Sequence, residues 1–452
     1  MTHTPEKRPS FDRQLWSMVL PMAFQNLILS AVSAGDAAML GFVSQDALSA
    51  VSLATQVQFV LNLFFGACTG GATLIAAQYW GKGDKAAVRR LLGLILQYAG
   101  AVSLVFFAAA VLMPETLMRI FTREEALIAT GADYLRIAGW SYLPTGLSQC
   151  YHTMLKTAGK AKESAVISAV AIVTDLILNA VFIFGLLGLP AMGAKGAALT
   201  TIFSRTLELI LAWRLSVLQP KKADVLRPSR ALQREFWHYS TPVLANAMVW
   251  GLGVTMYSVI IGHLGSDATA ANSIAAVVRD LVTSLCRGIS SAIGILLGHT
   301  LGANKLEEAR ANGDHTARLS ILVGVFSGAV VLLCIPVLRH VFILTDAARS
   351  YLTWMLVITA VYMLGRSVND VVICGIFHAG GDTRFDAQSV AVSMWGVIIP
   401  LAAMAAFWWK WPVLAVYFVL SMDEIIKLPW VYRHYKMYKW VCNITTDGEE
   451  GR

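Results

Sequence analysis

Residues 16–41 read WSMVLPMAFQNLILSAVSAGDAAMLG, and residues 237–262 read WHYSTPVLANAMVWGLGVTMYSVIIG. The Trp, Pro and Gly of the first stretch return in the second, and the same spacing extends through most of each half. Because one offset holds without a gap, the halves are predicted to be two copies of one structural unit. An offset of 221 residues relates seven identical pairs: Trp16 and Trp237, Pro21 and Pro242, Gly41 and Gly262, Asp46 and Asp267, Ser52 and Ser273, Arg89 and Arg310, and Gly159 and Gly380.

The composition places this duplicated chain in a membrane. Of its 452 residues, 56% are hydrophobic and 14% are charged, whereas a soluble domain carries about 25% charged residues. Apolar runs of about 20 residues, long enough to cross a bilayer, recur from end to end. We therefore predict an all-α integral membrane protein, because lipid leaves unpaired backbone groups without partners. Twelve spans are predicted near 15–41, 50–78, 91–113, 134–155, 164–187, 196–217, 236–262, 271–298, 318–337, 351–378, 387–408 and 412–432.

Six spans in each half return the chain to its starting side, so the halves form a parallel repeat about an axis along the membrane normal. This plan is common among secondary transporters, whose substrate site lies between two pseudo-symmetric lobes. The predicted units are an amino-terminal six-helix lobe (1–219), a basic cytoplasmic linker (220–235), a carboxy-terminal six-helix lobe (236–440) and a polar, mobile cytoplasmic tail (441–452).

The distribution of basic residues predicts the orientation. With both termini inside, the inner loops and tails hold 25 Lys and Arg and the outer loops hold 7, as the positive-inside rule requires. We expect a multi-pass protein of the inner (plasma) membrane with cytoplasmic termini. The net charge of +8 is attributed to this asymmetry and to contact with anionic lipid, not to nucleic-acid binding.

Familiar motifs of enzymes are missing from the sequence. There is no G-x-x-x-x-G-K-[ST] and no H-E-x-x-H, and the six cysteines include no C-x-x-C pair. We expect no enzymatic activity, no cofactor, no disulfide framework and a monomer. Uphill transport would then need coupling to an ion.

Acidic and amide side chains within the spans are the candidates for ion coupling. A charge near a helix centre costs roughly 2.5–3.5 kcal/mol on insertion scales. Each charged side chain within a span is therefore expected either to form an ion pair or to have a functional role. Asp36 lies in the outer half of span one, on the same helical face as Gln25. Asp175 and Asn179 lie one helical turn apart in span five, where a buried carboxylate can hold a proton or ligate Na⁺.

Other intramembrane charges have a structural alternative. Asp370 follows Arg366 by four residues in span ten, so the carboxylate could serve either in ion coupling or in a salt bridge. Arg205 and Glu208 in span six are predicted to form a structural pair. The predicted substrate-binding side chains are the polar, aromatic and sulfur-containing residues near the same depth: Gln25, Gln149, Thr201, Asn246, Trp250, Met256 and Tyr257.

Several stretches of this sequence resemble the multidrug and toxic compound extrusion (MATE) family. Together they cover both halves of the chain at the spacing typical of that family. The similar stretches are residues 35–41 (GDAAMLG), 78–81 (QYWG), 179–185 (NAVFIFG), 196–201 (GAALTT) and 379–384 (AGGDTR).

The resemblance implies two six-helix bundles arranged as a V, alternating access, and export of organic cations driven by H⁺ or Na⁺. It makes Asp36 the span-one coupling acid, Asp175 and Asn179 the span-five polar pair, Thr201 a nearby hydroxyl, and Asp370 the acidic span-ten position. Two departures favour H⁺ over Na⁺. The acid precedes the amide in span five, and span seven lacks an acid.

We therefore expect an antiporter for drug-like, amphipathic cations, with Na⁺ still possible at the oxygens of Asp36, Asp175 and Asn179. The alternative is a flippase for lipid-linked saccharides, in which Arg279, Arg287 and Arg366 would bind a diphosphate.

Overall fold

The computed structural model describes residues 11–41, 45–188, 190–221, 224–225, 229–341 and 344–445. Within these ranges, the side chains of residues 30–38, 40–41, 45–48, 187 and 340–341 lie outside the description. The described residues form helices and no strand, as predicted. Eight of these helices are, by their own length and composition, able to cross a membrane.

The twelve-helix, two-lobe architecture is confirmed, although some spans are built from consecutive shorter helices. The first lobe contains α1 (Phe11–Gly41), α2 (Gln45–Lys82), α3 (Lys85–Leu112), α4 (Pro114–Phe121), α5 (Glu125–Ala138), α6 (Tyr142–Thr157), α7 (Ala161–Phe184) and α8 (Gly193–Leu215). The second lobe contains α9 (Arg230–Gly262), α10 (Ser266–Gly302), α11 (Leu306–Val341), α12 (Asp346–Phe377), α13 (Arg384–Trp408), α14 (Val413–Leu420), α15 (Asp423–Ile426) and α16 (Leu428–Tyr435).

Polar side chains cap the first turns of several of these helices. The Asp84 carboxylate accepts a hydrogen bond from the backbone N–H of Ala87 at 2.8 Å and so caps α3. Ser229 caps α9 through the N–H of Leu232 at 3.2 Å. Such caps satisfy amide groups that have no partner within the helix.

Each lobe has its own apolar core, and a third cluster joins them. In this shared cluster, Leu15 and Met22 of α1 pack with Ile293 and Leu297 of α10. Gly288 permits the contact, because a β-carbon there would lie 2.7 Å from the backbone of α1. The first half of α1 therefore contacts the second lobe, while Gln25 faces the first.

Two predicted boundaries differ from the structure. The interval 220–235 was predicted as linker, but α9 begins at Arg230, where Ser229 supplies the cap. The tail after residue 440 was predicted to be mobile, and this is wrong for its first residues. Asn443, Ile444 and Thr445 are buried, because they insert between the two lobes. Residues 446–452 lie outside the described chain.

Candidate functional site

A cavity of about 670 Å³ lies within the first lobe. Side chains from α1, α2 and α5 to α8 line it, so a polar space is enclosed by helices that are apolar over much of their surface. It brings together five of the residues predicted from the sequence: Gln25, Gln149, Asp175, Asn179 and Thr201. The side chain of Asp36 lies outside the described residues.

Asp175 is held in this cavity by hydrogen-bond donors. Its Oδ1 accepts from the Ser204 hydroxyl at 2.8 Å, and its Oδ2 accepts from Asn179 Nδ2 at 3.1 Å. The hydroxyl of Thr200 in turn donates to Asn179 Oδ1. Among the described residues, no lysine or arginine lies within ion-pair distance of Asp175. A carboxylate so placed is desolvated and, within the described part of the chain, forms no ion pair.

Two helical pairs create this arrangement. Asp175 and Asn179 are one turn apart on α7, and Thr200 and Ser204 are one turn apart on α8, so four polar groups face each other across the helix contact. Thr201 was the hydroxyl predicted beside Asn179. It lines the cavity, but its hydroxyl donates to the Ala197 carbonyl within α8. The matched spacing on α7 and α8 was the signal that could have identified Thr200 and Ser204.

A second network in the same cavity centres on Glu208. Arg205 donates to its Oε2 at 2.8 Å, as the predicted pairing required. Its Oε1 accepts from His152 Nε2 and from the Ser168 hydroxyl, both at 3.2 Å. Gln25 donates to the same hydroxyl at 2.6 Å. The carboxylate thus joins α6, α7 and α8 to α1. The sequence analysis did not select His152, and its contact with Glu208 identifies it as a residue of this network.

Replacing Glu208 with alanine is expected to destabilise the first lobe by about 1–3 kcal/mol for each buried donor left unsatisfied, because His152 and Ser168 would lose the carboxylate that accepts their hydrogen bonds. Thermal unfolding in detergent, followed by tryptophan fluorescence, measures this. Glu115→Ala is the matched control, because Glu115 pairs with Arg136 at the surface, where an ion pair contributes about 0–1 kcal/mol. Equal stabilities of the two variants would contradict the role assigned to Glu208.

Gln25 has one further property relevant to ligand binding. Its Nε2 is satisfied by Ser168, but its Oε1 is buried and has no hydrogen-bond partner among the described residues. The side chain lines the cavity. A buried amide oxygen of this kind can accept a hydrogen bond from a bound compound, or it can coordinate a cation. Within the described chain, no group of three or more His, Cys, Asp and Glu side chains has the geometry of a metal site.

The second lobe contains a smaller cavity of about 200 Å³. The predicted residues Trp250 and Tyr257 line it, together with Arg279, Arg287 and Arg366. Asp280 and Asp423 also contribute to its wall, so its lining carries both signs of charge.

Asp370 does not share the environment of Asp175. Its carboxylate lies 3.0 Å from Arg366, whose guanidinium also lies 2.9 Å from Glu424. Lys427 lies 2.9 Å from the other oxygen of Glu424. Asp370 therefore sits in a buried ion-pair network, which is the structural alternative left open by the sequence.

The remaining predicted residues lie apart from both cavities. Asn246 donates to Asp386 at 2.9 Å, an acid that also lies 3.1 Å from His378. Met256 packs against a small apolar cluster of α13. Of the predicted site residues with described side chains, those of the first lobe gather in one cavity. Those of the second lobe are divided among a cavity, an ion-pair network and the packing.

Comparison with known proteins matches both halves of the chain. A family model described as MatE matches residues 21–181 and again residues 243–404. A "Probable multidrug resistance protein NorM" of Thermotoga maritima is 24% identical over 432 residues, covering 93% of this chain and 91% of that protein. An "Uncharacterized transporter YisQ" of Bacillus subtilis is 22% identical and covers 94% of each chain.

Solved structures share the fold. The Vibrio cholerae MATE transporter VcmN in the bent form superposes with a TM-score of 0.84 at 17% identity, covering 94% of this chain and 96% of that one. A MOP superfamily transporter from Pyrococcus furiosus gives a TM-score of 0.85 at 14% identity, with 94% and 96% coverage. Since the family model spans most of both lobes, this chain belongs to the MatE family of multidrug and toxic compound extrusion (MATE) transporters.

Proposed function

We propose that this protein is an antiporter that exports amphipathic, often cationic organic compounds in exchange for H⁺, with Na⁺ as the second candidate ion. The observation that carries the proposal is Asp175, a carboxylate in a 670 Å³ cavity with donors on both oxygens and no ion pair among the described residues. A desolvated carboxylate of this kind gains stability by binding a proton or a small cation.

The first lobe offers a route from ion binding to helix movement. Glu208 and Ser168 connect the cavity directly to Gln25 on α1. Pro21 removes a backbone hydrogen bond from α1 one turn earlier, so the helix can bend there. Binding of an ion near Asp36, Asp175 and Asn179 would change these contacts, reposition α1 and displace the exported compound.

The orientation of the cycle follows from the basic loops. With both termini in the cytoplasm, the end at which α2 and α10 touch is the inner end. The structure would then be closed towards the cytoplasm, in the state that releases compound outside and takes up the ion. We propose a monomer in the inner membrane whose basic inner surface contacts anionic lipid.

The aromatic and sulfur side chains fit the proposed substrate class. Trp250 and Tyr257 line the second cavity, and Met256 packs beside them. Such groups bind flat organic cations by dispersion and cation–π attraction. Two observations disfavour the flippase: the three arginines line a cavity that also contains acids, and Arg366 is already paired with Asp370 and Glu424. Because Asp370 is itself paired, we assign it no ion in this cycle.

Replacing Asp175 with asparagine is expected to reduce ion-driven export at least tenfold, because an amide neither holds a proton nor balances a cation. Export of a fluorescent aromatic cation is measured in proteoliposomes, with a pH gradient and a Na⁺ gradient imposed separately. Asp36→Asn is expected to behave similarly.

Asp346→Asn is the matched control, because the Asp346 carboxylate is fully exposed at the start of α12. Its export should equal that of the wild type. Wild-type export by correctly inserted Asp175→Asn and Asp36→Asn would refute the proposed ion site. Export driven by the Na⁺ gradient but not by the pH gradient would identify Na⁺, and not H⁺, as the coupling ion.

A further inference from the structure

The two lobes meet where equivalent parts of the repeat face each other. Ala77 on α2 and Gly298 on α10 occupy matching positions of the two halves. A β-carbon on Gly298 would lie 2.6 Å from the β-carbon of Ala77. Because each position touches its own counterpart, the local two-fold axis passes between them.

Around this axis, each lobe forms a hydrogen bond to the other from an equivalent position of the repeat. Gln78 and His299 are counterparts in the repeat. Gln78 Nε2 donates to the carbonyl of Ala379 in the second lobe at 2.7 Å. His299 Nε2 donates to the carbonyl of Thr157 in the first lobe at 2.8 Å. Both acceptors lie at helix ends, where carbonyl groups lack partners within the helix.

Two counterpart glycines allow this approach. A β-carbon on Gly81 would lie 2.1 Å from the His299 carbonyl oxygen, and one on Gly302 would lie 1.8 Å from the Gln78 carbonyl oxygen. The helices therefore touch backbone to backbone at this end, and any side chain at either glycine would separate them.

The chain end breaks the symmetry of this contact. Gln78 also donates to the Cys442 carbonyl at 3.1 Å and accepts from the Ile444 N–H at 2.8 Å. Trp440 is 1% exposed and packs in a cluster dominated by the second lobe, whereas Ile444 is 6% exposed and packs in the core of the first. Residues 440–445, which we call the strap, thus span both lobes.

We propose that Gln78 and His299 are gate residues, which form a reciprocal clasp that holds this end of the transporter closed, and that the strap must leave Gln78 before the end can open. The inference rests on the proposed alternating movement of the lobes, but on neither the coupling ion nor the exported compound. When the lobes part, each of these bonds is exchanged for bonds to water. The clasp therefore biases the equilibrium between closed and open states without blocking it.

The test measures the distance between the lobes directly. Spin labels are placed on cysteines at Lys85 and Lys305, which are exposed at the starts of α3 and α11, in a chain whose six native cysteines are alanine. Double electron–electron resonance is recorded in lipid nanodiscs without an ion gradient or a transported compound.

Gln78→Ala and His299→Ala are each expected to raise the open-to-closed ratio about fivefold to tenfold, since each removes buried hydrogen bonds made across the interface. His299→Gln retains a donor and should restore part of the closed population. Ile444→Asp, which leaves the clasp intact but places a charge in the core contacted by the strap, should raise the same ratio.

Gln388→Ala and His263→Ala are the matched controls, because both side chains are exposed in the second lobe and His263 bonds to the Val259 carbonyl of its own helix. Distance distributions like the wild type in both clasp variants would overturn the gate, and an unchanged distribution in Ile444→Asp would overturn the strap. The distance measurement uses no gradient and is therefore independent of transport. If Gln78→Ala and His299→Ala shift the distances but the protein exports no compound, the antiporter proposal is refuted and the gate proposal is retained.

Discussion

Replacing Gly302 with alanine is expected to reduce export by a factor of ten or more by preventing the lobes from closing. The new β-carbon would lie 1.8 Å from the backbone oxygen of Gln78, and a backbone atom has no rotamer by which to move away. Overpacking of this kind costs about 1–3 kcal/mol, and 1.4 kcal/mol changes a population tenfold. Because the strain exists only when the lobes meet, it falls on the closed state alone.

The measurement combines export in proteoliposomes with the inter-lobe distance between labelled Lys85 and Lys305. Gly81→Ala should act in the same way, since its β-carbon would lie 2.1 Å from the carbonyl oxygen of His299. Gly100→Ala is the control, because it is also a helical glycine but has nothing within 4 Å of its β-carbon position. Normal export and a wild-type distance in Gly302→Ala would show that this contact is not needed in the transport cycle.

Replacing Arg366 with methionine is expected to destabilise the second lobe strongly. The guanidinium lies within 3.0 Å of Asp370 and 2.9 Å of Glu424, and both acids are buried. Removing one partner of a buried ion pair costs about 3–5 kcal/mol, because the Asp370 carboxylate would lose its ion pair, whereas Glu424 keeps Lys427. Methionine keeps most of the volume, so the loss reports on charge and not on packing.

The effect is measured as the midpoint of thermal unfolding in detergent, followed by tryptophan fluorescence. Adding Asp370→Asn to Arg366→Met should recover part of the loss, because it removes one uncompensated charge. Arg136→Met is the control, since Arg136 pairs with Glu115 and Asp133 at the surface, where the cost is about 0–1 kcal/mol. If the single and double variants unfold at one temperature, Asp370 and Arg366 are not energetically coupled.

The predicted contacts were correct where they joined neighbours along one helix. Asp175 and Asn179 are one turn apart, and the structure places their side chains 3.1 Å apart. Arg205 and Glu208 were paired by the same argument and lie 2.8 Å apart. Helical geometry fixes such distances without reference to the rest of the molecule.

The prediction fell short where the partner came from another helix. Thr201 was favoured as the hydroxyl near Asn179, but Thr200 makes that bond. A rotation of about 100° separates adjacent positions of a helix, so the choice depended on how α8 is turned against α7. His152 was missed for the same reason, because its contact with Glu208 crosses from α6 to α8.

The sequence by itself determined the membrane class, the twelve spans and the two equivalent lobes. Hydrophobic length, the demand for internally paired backbone groups, and a repeat without gaps are properties of the chain that need no knowledge of contacts. Only the tertiary structure decided that Asp370 lies in an ion-pair network while Asp175 is held by hydroxyl and amide donors, and that residues 440–445 lie between the lobes. Those outcomes depend on which side chains from distant helices share a small buried space, where the balance between desolvation and pairing is settled.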